Sequence, residues 1–423
     1  MRILGTVILM FVVLVPQLFA LTLDEALDAA LQNHQRIVQF QARADQSKAE
    51  VGSARAAFLP NVAIDYSYLE RDEDPWALGE KSSTLSLGAS INLFNGMSDY
   101  HSYRAARQRA LGADYRLRGT RADIILETRQ AYIEVLRAVR SVATAAEGVA
   151  LLERQKRDAA LQFEYGVIAR NDLLRVEVEL SSARQDLLQA EGQQQIARRQ
   201  LERTIGVLLP ADEVLEEMTA VSLSGLEPTL VDSYRQQMLD NRSELHELRS
   251  ELQAARQNRR ASQGDYLPRV DLAVTHEEYD DDLFSASGEE EDNLLALSAS
   301  WTLFDGFARE KSVAAAGART RAVAAELRDT EAALVLQLET ALQNARIASG
   351  RQVEARAGVA SAEENYRVTE NRFKQQQATT VDLLDAQYLL TRSRNLEINA
   401  NYDLYLSLAR LERVLEKPIT EPQ

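Results

Sequence analysis

Ile91-Asn-Leu-Phe-Asn-Gly96 recurs further along the chain as Trp301-Thr-Leu-Phe-Asp-Gly306. A second pair of segments, Ala57-Phe-Leu-Pro-Asn-Val62 and Asp265-Tyr-Leu-Pro-Arg-Val270, matches in the same way. The two members are 210 residues apart in the first pair and 208 residues apart in the second. Ordered matches at nearly constant spacing rarely arise by chance, so the sequence predicts two structural repeats.

Each repeat is predicted to contain an opening helix, a β-hairpin and two long helices. Thr22 and Glu25 form a capping box at the start of a helix over residues 22–57, and Leu59-Pro60 ends that helix. Good helix formers dominate the two long proline-free stretches that follow the hairpins. We predict long helices over 98–163 and 308–373, turns over 164–169 and 374–379, and returning helices over 170–206 and 380–415. The opening and returning helices are together about as long as the long helix, and we expect them to lie end to end along it.

The predicted hairpins, 62–95 and 270–305, alternate apolar with small polar side chains, as half-exposed strands do. We expect polar loops over 70–83 and 276–293, and a last strand that includes Trp301 and Leu303. The pattern fits either a half-buried sheet in a soluble domain or a membrane β-barrel. In a barrel, the lipid-facing positions would include Leu87, Ile91, Leu272 and Leu297. Four strands cannot close a barrel, so a membrane interpretation requires two, three or more copies of the chain.

Export is predicted from the first residues of this 423-residue chain. Met1-Arg2, the apolar run 3–15 and the small residue Ala20 are typical of a cleaved signal peptide over residues 1–20. The chain has no cysteine. Its net charge of −16 argues against nucleic acid as a partner.

An enzyme is disfavoured, because the sequence has no phosphate-binding loop and no nucleophile elbow. The four histidines have no ligand partner at helical spacing: His34, His101, His246 and His276. We therefore expect no catalytic, cofactor-binding or metal-binding residues. The remaining alternative to a channel is a soluble periplasmic coiled-coil scaffold or adaptor, which the long helices alone would permit.

From about Leu21 to about Glu416, the chain resembles the TolC family of outer-membrane efflux proteins. The resemblance rests on the doubled segments quoted above and on a doubled aromatic-to-Asp-Leu-Leu segment at the helical turns, 163–174 and 373–384. It implies a mainly α fold with a membrane portion. A homotrimer would form a long α-helical coiled-coil barrel and a 12-stranded β-barrel, with four strands per protomer.

The resemblance also implies a function and a division of the chain. Such proteins are passive exit ducts of tripartite efflux pumps or type I secretion systems in the outer membrane of Gram-negative bacteria, with a large periplasmic portion. The implied partners are outer-membrane lipid, a periplasmic adaptor (membrane fusion) protein and an inner-membrane efflux or ABC-type transporter. After the signal peptide, we expect a first repeat over 21–209, a linker over 210–228, a second repeat over 229–416 and a tail over 417–423.

Two sets of site residues follow from the resemblance. The helical turns imply adaptor docking at Tyr165, Gly166, Val167, Ile168, Gln376, Gln377 and Ala378. Gln376 stands where the first turn has glycine, so we expect the second turn to be shaped differently. Asp382 and Asp385 share a helical face and resemble the acidic constriction of the family, which implies a periplasmic gate. The aligned positions of the first repeat, Asp172 and Arg175, are included in that gate.

Overall fold

The computed structural model describes residues 20–70, 81–210, 213–218, 231–280 and 290–417, and it is mainly α-helical. The predicted signal peptide up to residue 19 and the tail beyond Lys417 lie outside the described residues. None of the helices in the described ranges is long and apolar enough to cross a membrane. The elements follow in the order α1 Leu23–Asn33, α2 Gln35–Ala56, β1 Asn61–Glu70, β2 Lys81–Asn95, α3 Ser98–Glu164, α4 Arg170–Ile205, α5 Val231–Asn241, α6 Ser243–Gly264, β3 Arg269–Asp280, β4 Glu290–Ser300, α7 Ala308–Lys374 and α8 Thr380–Leu415.

Each opening helix is broken once, so the prediction of a single helix over 22–57 is wrong. His34 has an extended ψ of 122°, and its ring accepts a hydrogen bond from the Arg36 N–H at 3.1 Å. Arg242 occupies the equivalent place between α5 and α6, with ψ of 117°. The predicted capping box at the start of α1 is present, with Thr22 and Glu25 bonded reciprocally at 2.9 and 3.1 Å.

Helix α3 is the central element of the chain. It packs against α2 and α4, as predicted, and also against α6 and α8 of the second repeat. The larger apolar core lies where α1 and α4 meet the middle of α3, and its fully buried members include Ile124, Tyr132, Ile133, Leu201 and Ile205. A second core joins α5, α6, α7 and α8 around Met238, Leu245, Leu338, Leu411 and Leu415. The larger core also contains Tyr402 and Leu406 of α8, whereas the second core is built from helices of the second repeat. The two repeats are therefore joined by α3 and by this shared core.

The four strands form one antiparallel sheet in the order β1-β2-β3-β4, in which the β2–β3 pairing joins the repeats. The strands extend further than predicted, so residues 70, 81–83, 276–280 and 290–293 are paired strand rather than loop. Backbone pairing does not depend on side-chain polarity, which explains why acidic segments continue the ladder. The rest of the predicted loops, 71–80 and 281–289, lies outside the described residues.

The fourth strand ends earlier than predicted. β4 stops at Ser300, where its pairing with Arg269 is the last of the ladder, so the prediction that Trp301 and Leu303 belong to this strand is wrong for the single chain. No strand of the described chain lies on the free side of β4, which leaves this segment without backbone partners there.

Part of the predicted linker is packed onto the helices. Leu215 forms a parallel β-bridge with Leu21, so the start of the described chain and the linker are held together. The Tyr132 hydroxyl on α3 lies 2.8 Å from the carbonyl oxygens of Leu21 and Glu216. Tyr402 on α8 donates to Glu217 at 3.2 Å, and burial, with the charge of Glu217, raises the pKa of Tyr402 to about 12. This tyrosine therefore stays a donor at neutral pH.

Candidate functional site

The two helical turns at the far end from the sheet have the same backbone geometry. In the first turn, the N–H groups of Gly166 and Val167 donate to the carbonyls of Phe163 and Gln162 at 2.9 and 2.7 Å. In the second turn, Gln376 and Gln377 donate to the carbonyls of Phe373 and Arg372 at 2.9 and 2.8 Å. Both patterns are Schellman motifs, which need a left-handed residue just after the helix.

Gln376 adopts that left-handed conformation without being glycine. Its φ is +58°, against +68° for Gly166. The expectation that the second turn is shaped differently is therefore wrong. The hydrogen bonds of the Schellman motif impose the shape, and the side chain of Gln376 tolerates it at a conformational cost of about 1 kcal/mol.

Gln376→Gly is expected to stabilise the protein by about 0.5–1 kcal/mol, because glycine removes that cost. Gly166→Gln is the matched reverse change and should destabilise by a similar amount. A Cβ at position 166 would meet nothing within 4 Å, so the effect there is conformational rather than steric. Urea unfolding in detergent, followed by the helical circular dichroism signal, measures both. A loss of stability in Gln376→Gly would contradict this account.

The surfaces of the two turns differ although their backbones agree. Tyr165 and Val167 are 79% and 54% exposed, while Ile168 packs against a small apolar cluster between α3 and α4. The second turn presents the exposed amides of Gln376 and Gln377, with Ala378 half-buried. The first turn therefore offers apolar contact area and the second offers hydrogen-bonding groups.

The predicted gate residues lie at the starts of α4 and α8. Asp382 completes a capping box, in which the Thr379 N–H and hydroxyl both donate to its carboxylate at 2.8 Å. These hydrogen bonds, the backbone one first, lower the pKa of Asp382. Asp172 accepts a long hydrogen bond of 3.4 Å from the N–H of Ala169. The alanine side chain cannot accept a hydrogen bond in return, so the first turn lacks the reciprocal half of a capping box. Asp382 therefore has a structural role at the helix start in addition to any role in a pore.

Two other predicted gate residues, Asp385 and Arg175, are exposed and do not contact Asp382 through an ion pair in the described chain. No ion pair among the described residues joins Arg175 to Asp385. Near these residues, the hairpins are linked by Arg394 on α8, which lies 2.9 Å from Glu147 on α3 and 3.1 Å from Glu363 on α7. Sequence reasoning missed this residue, because its partner on α3 is 247 positions away and no local pattern connects them.

A groove of about 1360 Å³ separates the two helical hairpins near the turns. Arg394, Glu147 and Glu363 line one part of it, and the polar and apolar side chains of both turns line the rest. The predicted site residues that the groove brings together are Val167, Ile168, Asp172, Gln376 and Ala378. The other predicted turn and gate residues do not line it.

The sheet has one apolar face that none of the helices in the described ranges covers. Ile91, Leu272 and Leu297 are directly opposite one another across three strands, and Leu87 pairs with Ile64 two rows further along the same face. Because opposed residues of an antiparallel sheet point to the same side, all four predicted lipid-facing positions share one face. Leu87 and Leu297 are 50% and 69% exposed. Such a face requires an apolar environment outside the single chain.

Comparisons with known proteins agree with this architecture. The sequence model of the family described as outer membrane efflux protein matches residues 26–207 and 234–416. The chain is 25% identical to the outer membrane protein TolC of Vibrio cholerae, over 94% of this chain and 91% of that protein. It is 24% identical to the alkaline protease secretion protein AprF of Pseudomonas aeruginosa, over 93% and 82%. Among solved structures, the outer membrane protein VceC of Vibrio cholerae superposes with a TM-score of 0.82 at 17% identity, covering 94% of this chain and 97% of that one.

Proposed function

This chain belongs to the family of outer membrane efflux proteins, and we propose that it is the outer-membrane exit duct of a tripartite efflux pump or a type I secretion system in a Gram-negative bacterium. The observation that carries the proposal is the exposed apolar face of the sheet, attached to long helices. α3 and α7 have 67 residues each, which corresponds to rods of about 100 Å. Such rods suit a tunnel that extends from the outer membrane into the periplasm.

The finer architecture is part of the same proposal. Three copies would supply 12 strands for one closed barrel, because the four strands of one chain leave two open edges that lipid does not tolerate. The helices would continue the barrel as a coiled-coil tunnel with a gate at its periplasmic end. Residues 1–20 would be removed as a signal peptide, and the two repeats, 21–209 and 229–416, would be joined through 210–228 and followed by the tail 417–423. A passive conduit of this kind performs no chemistry.

Membrane fractionation separates this proposal from the alternative of a soluble periplasmic scaffold. The channel should be found in the outer membrane, require detergent for extraction and conduct ions in planar bilayers. A scaffold with the same helices would remain in the soluble periplasmic fraction. Recovery of the full-length chain in that fraction, without conductance, would refute the channel.

Docking to a periplasmic adaptor and, through it, to an inner-membrane transporter is proposed for the turns. Val167→Asp should abolish transport while trimer yield and outer-membrane insertion stay normal, because a charge would replace an exposed apolar contact at the first turn. Val178→Asp is the matched control, since Val178 is 66% exposed on α4, away from the turn. Transport and oligomer yield are measured for both variants. Transport that survives Val167→Asp would place the docking site elsewhere.

The gate proposal is tested by removing charge while keeping the helix start intact. The double variant Asp382→Asn, Asp385→Asn should lose cation preference and block by multivalent cations in planar bilayers, because three copies would otherwise place six carboxylates around one axis. Asparagine keeps an acceptor for the Thr379 bonds, so α8 should still be capped.

Glu179→Gln on α4 is the control for the gate, because this exposed carboxylate lies outside the proposed ring. It should leave selectivity and block unchanged. Wild-type selectivity in the double variant would show that Asp382 and Asp385 do not line the pore.

A further inference from the structure

The sheet of one chain ends in two strands with a free edge each. Among the residues that the structure describes, β1 pairs only with β2, and β4 pairs only with β3. We propose that residues 301–305 extend β4 when a second copy of this chain arrives, and that they pair with residues 61–64 of that copy in a single register. In this register Trp301 lies opposite Ile64 and Phe304 lies opposite Val62 of the neighbouring copy. The inference rests on the proposed oligomeric channel and specifies the seam between its subunits.

The internal repeat supplies the register. Positions of β1 correspond to β3 at a spacing of 208 residues, and positions of β2 correspond to β4 at a spacing of 210. This correspondence can be checked within each hairpin. The pair Val62–Ala89 becomes Val270–Ala299, which is an observed pair. The repeats therefore reproduce strand register residue by residue.

The same correspondence, applied to the β2–β3 pairing, predicts the pairing of β4 with β1 of the next copy. The observed pair Ile91–Leu272 becomes Trp301 opposite Ile64. The observed pair Phe94–Val270, beyond the bulge, becomes Phe304 opposite Val62. Leu303 would then be the bulged residue of the seam, in the place that Leu93 has within the chain.

The absence of a neighbour in the single chain explains why the repeats differ here. β2 continues to Asn95, which pairs with Arg269, whereas β4 stops at Ser300. The backbone after both segments is the same, with φ of +67° and +67° at 96 and 97, and +69° and +68° at 306 and 307. Residues 301–305 therefore differ from residues 91–95 in that no neighbouring strand of the described chain pairs with them. Trp301, Leu303 and Phe304 are accordingly exposed, at 60%, 75% and 72%.

The predicted register also keeps the two faces of the sheet continuous across the seam. On the apolar face, Trp301, Ala299 and Leu297 would meet Ile64, Tyr66 and Tyr68. On the polar face, Ser300 and Ser298 would meet Asp65 and Ser67. A slip by one residue would place apolar side chains on the polar side, and such slips are strongly disfavoured when one face is buried.

The helices below the sheet support the same relation between copies. α6 packs between α3 and α7, whereas its repeat equivalent α2 packs against α3 and makes no comparable contact with a second long helix of the described chain. The α3–α6 contact between repeats would correspond to a contact of α7 with α2 of the next copy. The free side of α2 and the free edge of β1 would thus be covered by the same neighbour.

Cysteine cross-linking tests the register without background, because the chain has no cysteine. The doubly substituted full-length chain Ser298→Cys, Ser67→Cys should form disulfides between copies in outer membranes. Heated, non-reduced samples should show covalent dimers and trimers. Directly opposed residues alternate between hydrogen-bonded and non-hydrogen-bonded pairs. The pair Ala299→Cys, Tyr66→Cys therefore tests the same register at a pair of the other type.

Two variants shifted by two residues are the controls: Ser298→Cys with Asp65→Cys, and Ser300→Cys with Ser67→Cys. Diagonal neighbours are about 7–8 Å apart, beyond the reach of a disulfide, so their cross-linking should be about ten times lower. Ser90→Cys with Ala273→Cys, an observed pair within the chain, should form a disulfide that leaves the protein monomeric after heating.

The results separate the register from the oligomer itself. Preferential cross-linking of the in-register pairs supports the proposal. Preferential cross-linking of a shifted pair overturns the register and leaves the oligomeric channel standing. Light scattering of the detergent-extracted protein that finds only monomers overturns both.

Discussion

Replacing Arg413 by methionine is expected to lower the free energy of unfolding by about 3 kcal/mol, because the change removes a buried cation from three acidic partners, one of which is itself buried. Arg413 lies near the end of α8 and is 8% exposed. Its guanidinium donates to Asp123 on α3 and to Glu244 on α6, both at 2.7 Å. It also donates to Glu416 at 3.2 Å. One side chain therefore connects both repeats.

Glu416 makes the loss costly, because its side chain is only 3% exposed. It also accepts hydrogen bonds from the N–H and hydroxyl of Ser243, at 3.1 and 2.7 Å, which hold the start of α6. Asp123 is 47% exposed, and Arg118 lies 3.6 Å from Glu416. Water and this second cation offset part of the penalty, so we expect the lower end of the range for a broken buried pair.

Arg203→Met is the matched control for this prediction. Arg203 occupies the equivalent position of the first repeat, 210 residues earlier, and it is exposed. Its replacement should change stability by less than about 0.5 kcal/mol. Urea unfolding in detergent, followed by circular dichroism, compares the two variants. Equal effects of the two substitutions would mean that the cluster around Arg413 adds nothing to stability.

The cluster also gives the protein a defined sensitivity to acid. Burial disfavours the charged form of Glu244, but the attraction of Arg242 and Arg413 outweighs it and lowers the pKa of Glu244. A carboxylate with a lowered folded-state pKa stabilises the fold above its unfolded pKa, and this stabilisation is lost as the pH falls through the folded value. Stability should therefore decline on acidification below the ordinary range of glutamate, and less so in Arg413→Met.

Local sequence patterns predicted the long helices well. α3 begins at the predicted Ser98 and ends one residue later than predicted, and α8 has its predicted bounds. Proline-free stretches of good helix formers and a capping box give signals that depend only on neighbours in the sequence. The breaks at His34 and Arg242 gave no such signal, since neither proline nor glycine marks them. The buried guanidinium of Arg242 donates to the carbonyl of Arg413 on α8. The two residues are far apart in the sequence, so no local pattern predicts this contact.

The sequence predicted the parts of the candidate site that depend on local alternation, but not those that depend on tertiary contacts. The shared face of Leu87, Ile91, Leu272 and Leu297 follows from alternation alone, because a strand has a period of two residues. The ion pairs of Arg394 and the cluster around Arg413 depend on tertiary contacts between repeats, which alternation and periodicity do not encode. At the second helical turn, the sequence predicted a difference that the structure does not have. Glycine is the usual residue at this position, yet the hydrogen bonds of the turn keep the same backbone with glutamine.

Leu297→Arg is expected to destabilise the assembled channel by about 2–4 kcal/mol, the range for a cation placed on the lipid face near the middle of a bilayer. Leu297 pairs with Leu272 in the centre of β4 and is 69% exposed on the apolar face. In the proposed barrel this exposed area contacts hydrocarbon, where an arginine must either bury its charge or extend toward the headgroups.

Ser298→Arg separates the lipid face from the strand itself. Ser298 is the next residue of β4 and points to the other side of the sheet, where a wet lumen would solvate a cation. Its replacement should cost clearly less, and Ser90→Arg on β2 should behave alike. Unfolding of variants folded into lipid vesicles, with tryptophan fluorescence as the readout, gives the three costs. Equal tolerance of arginine at Leu297 and Ser298 would mean that lipid does not cover the apolar face, and the alternative of a soluble scaffold would then be favoured.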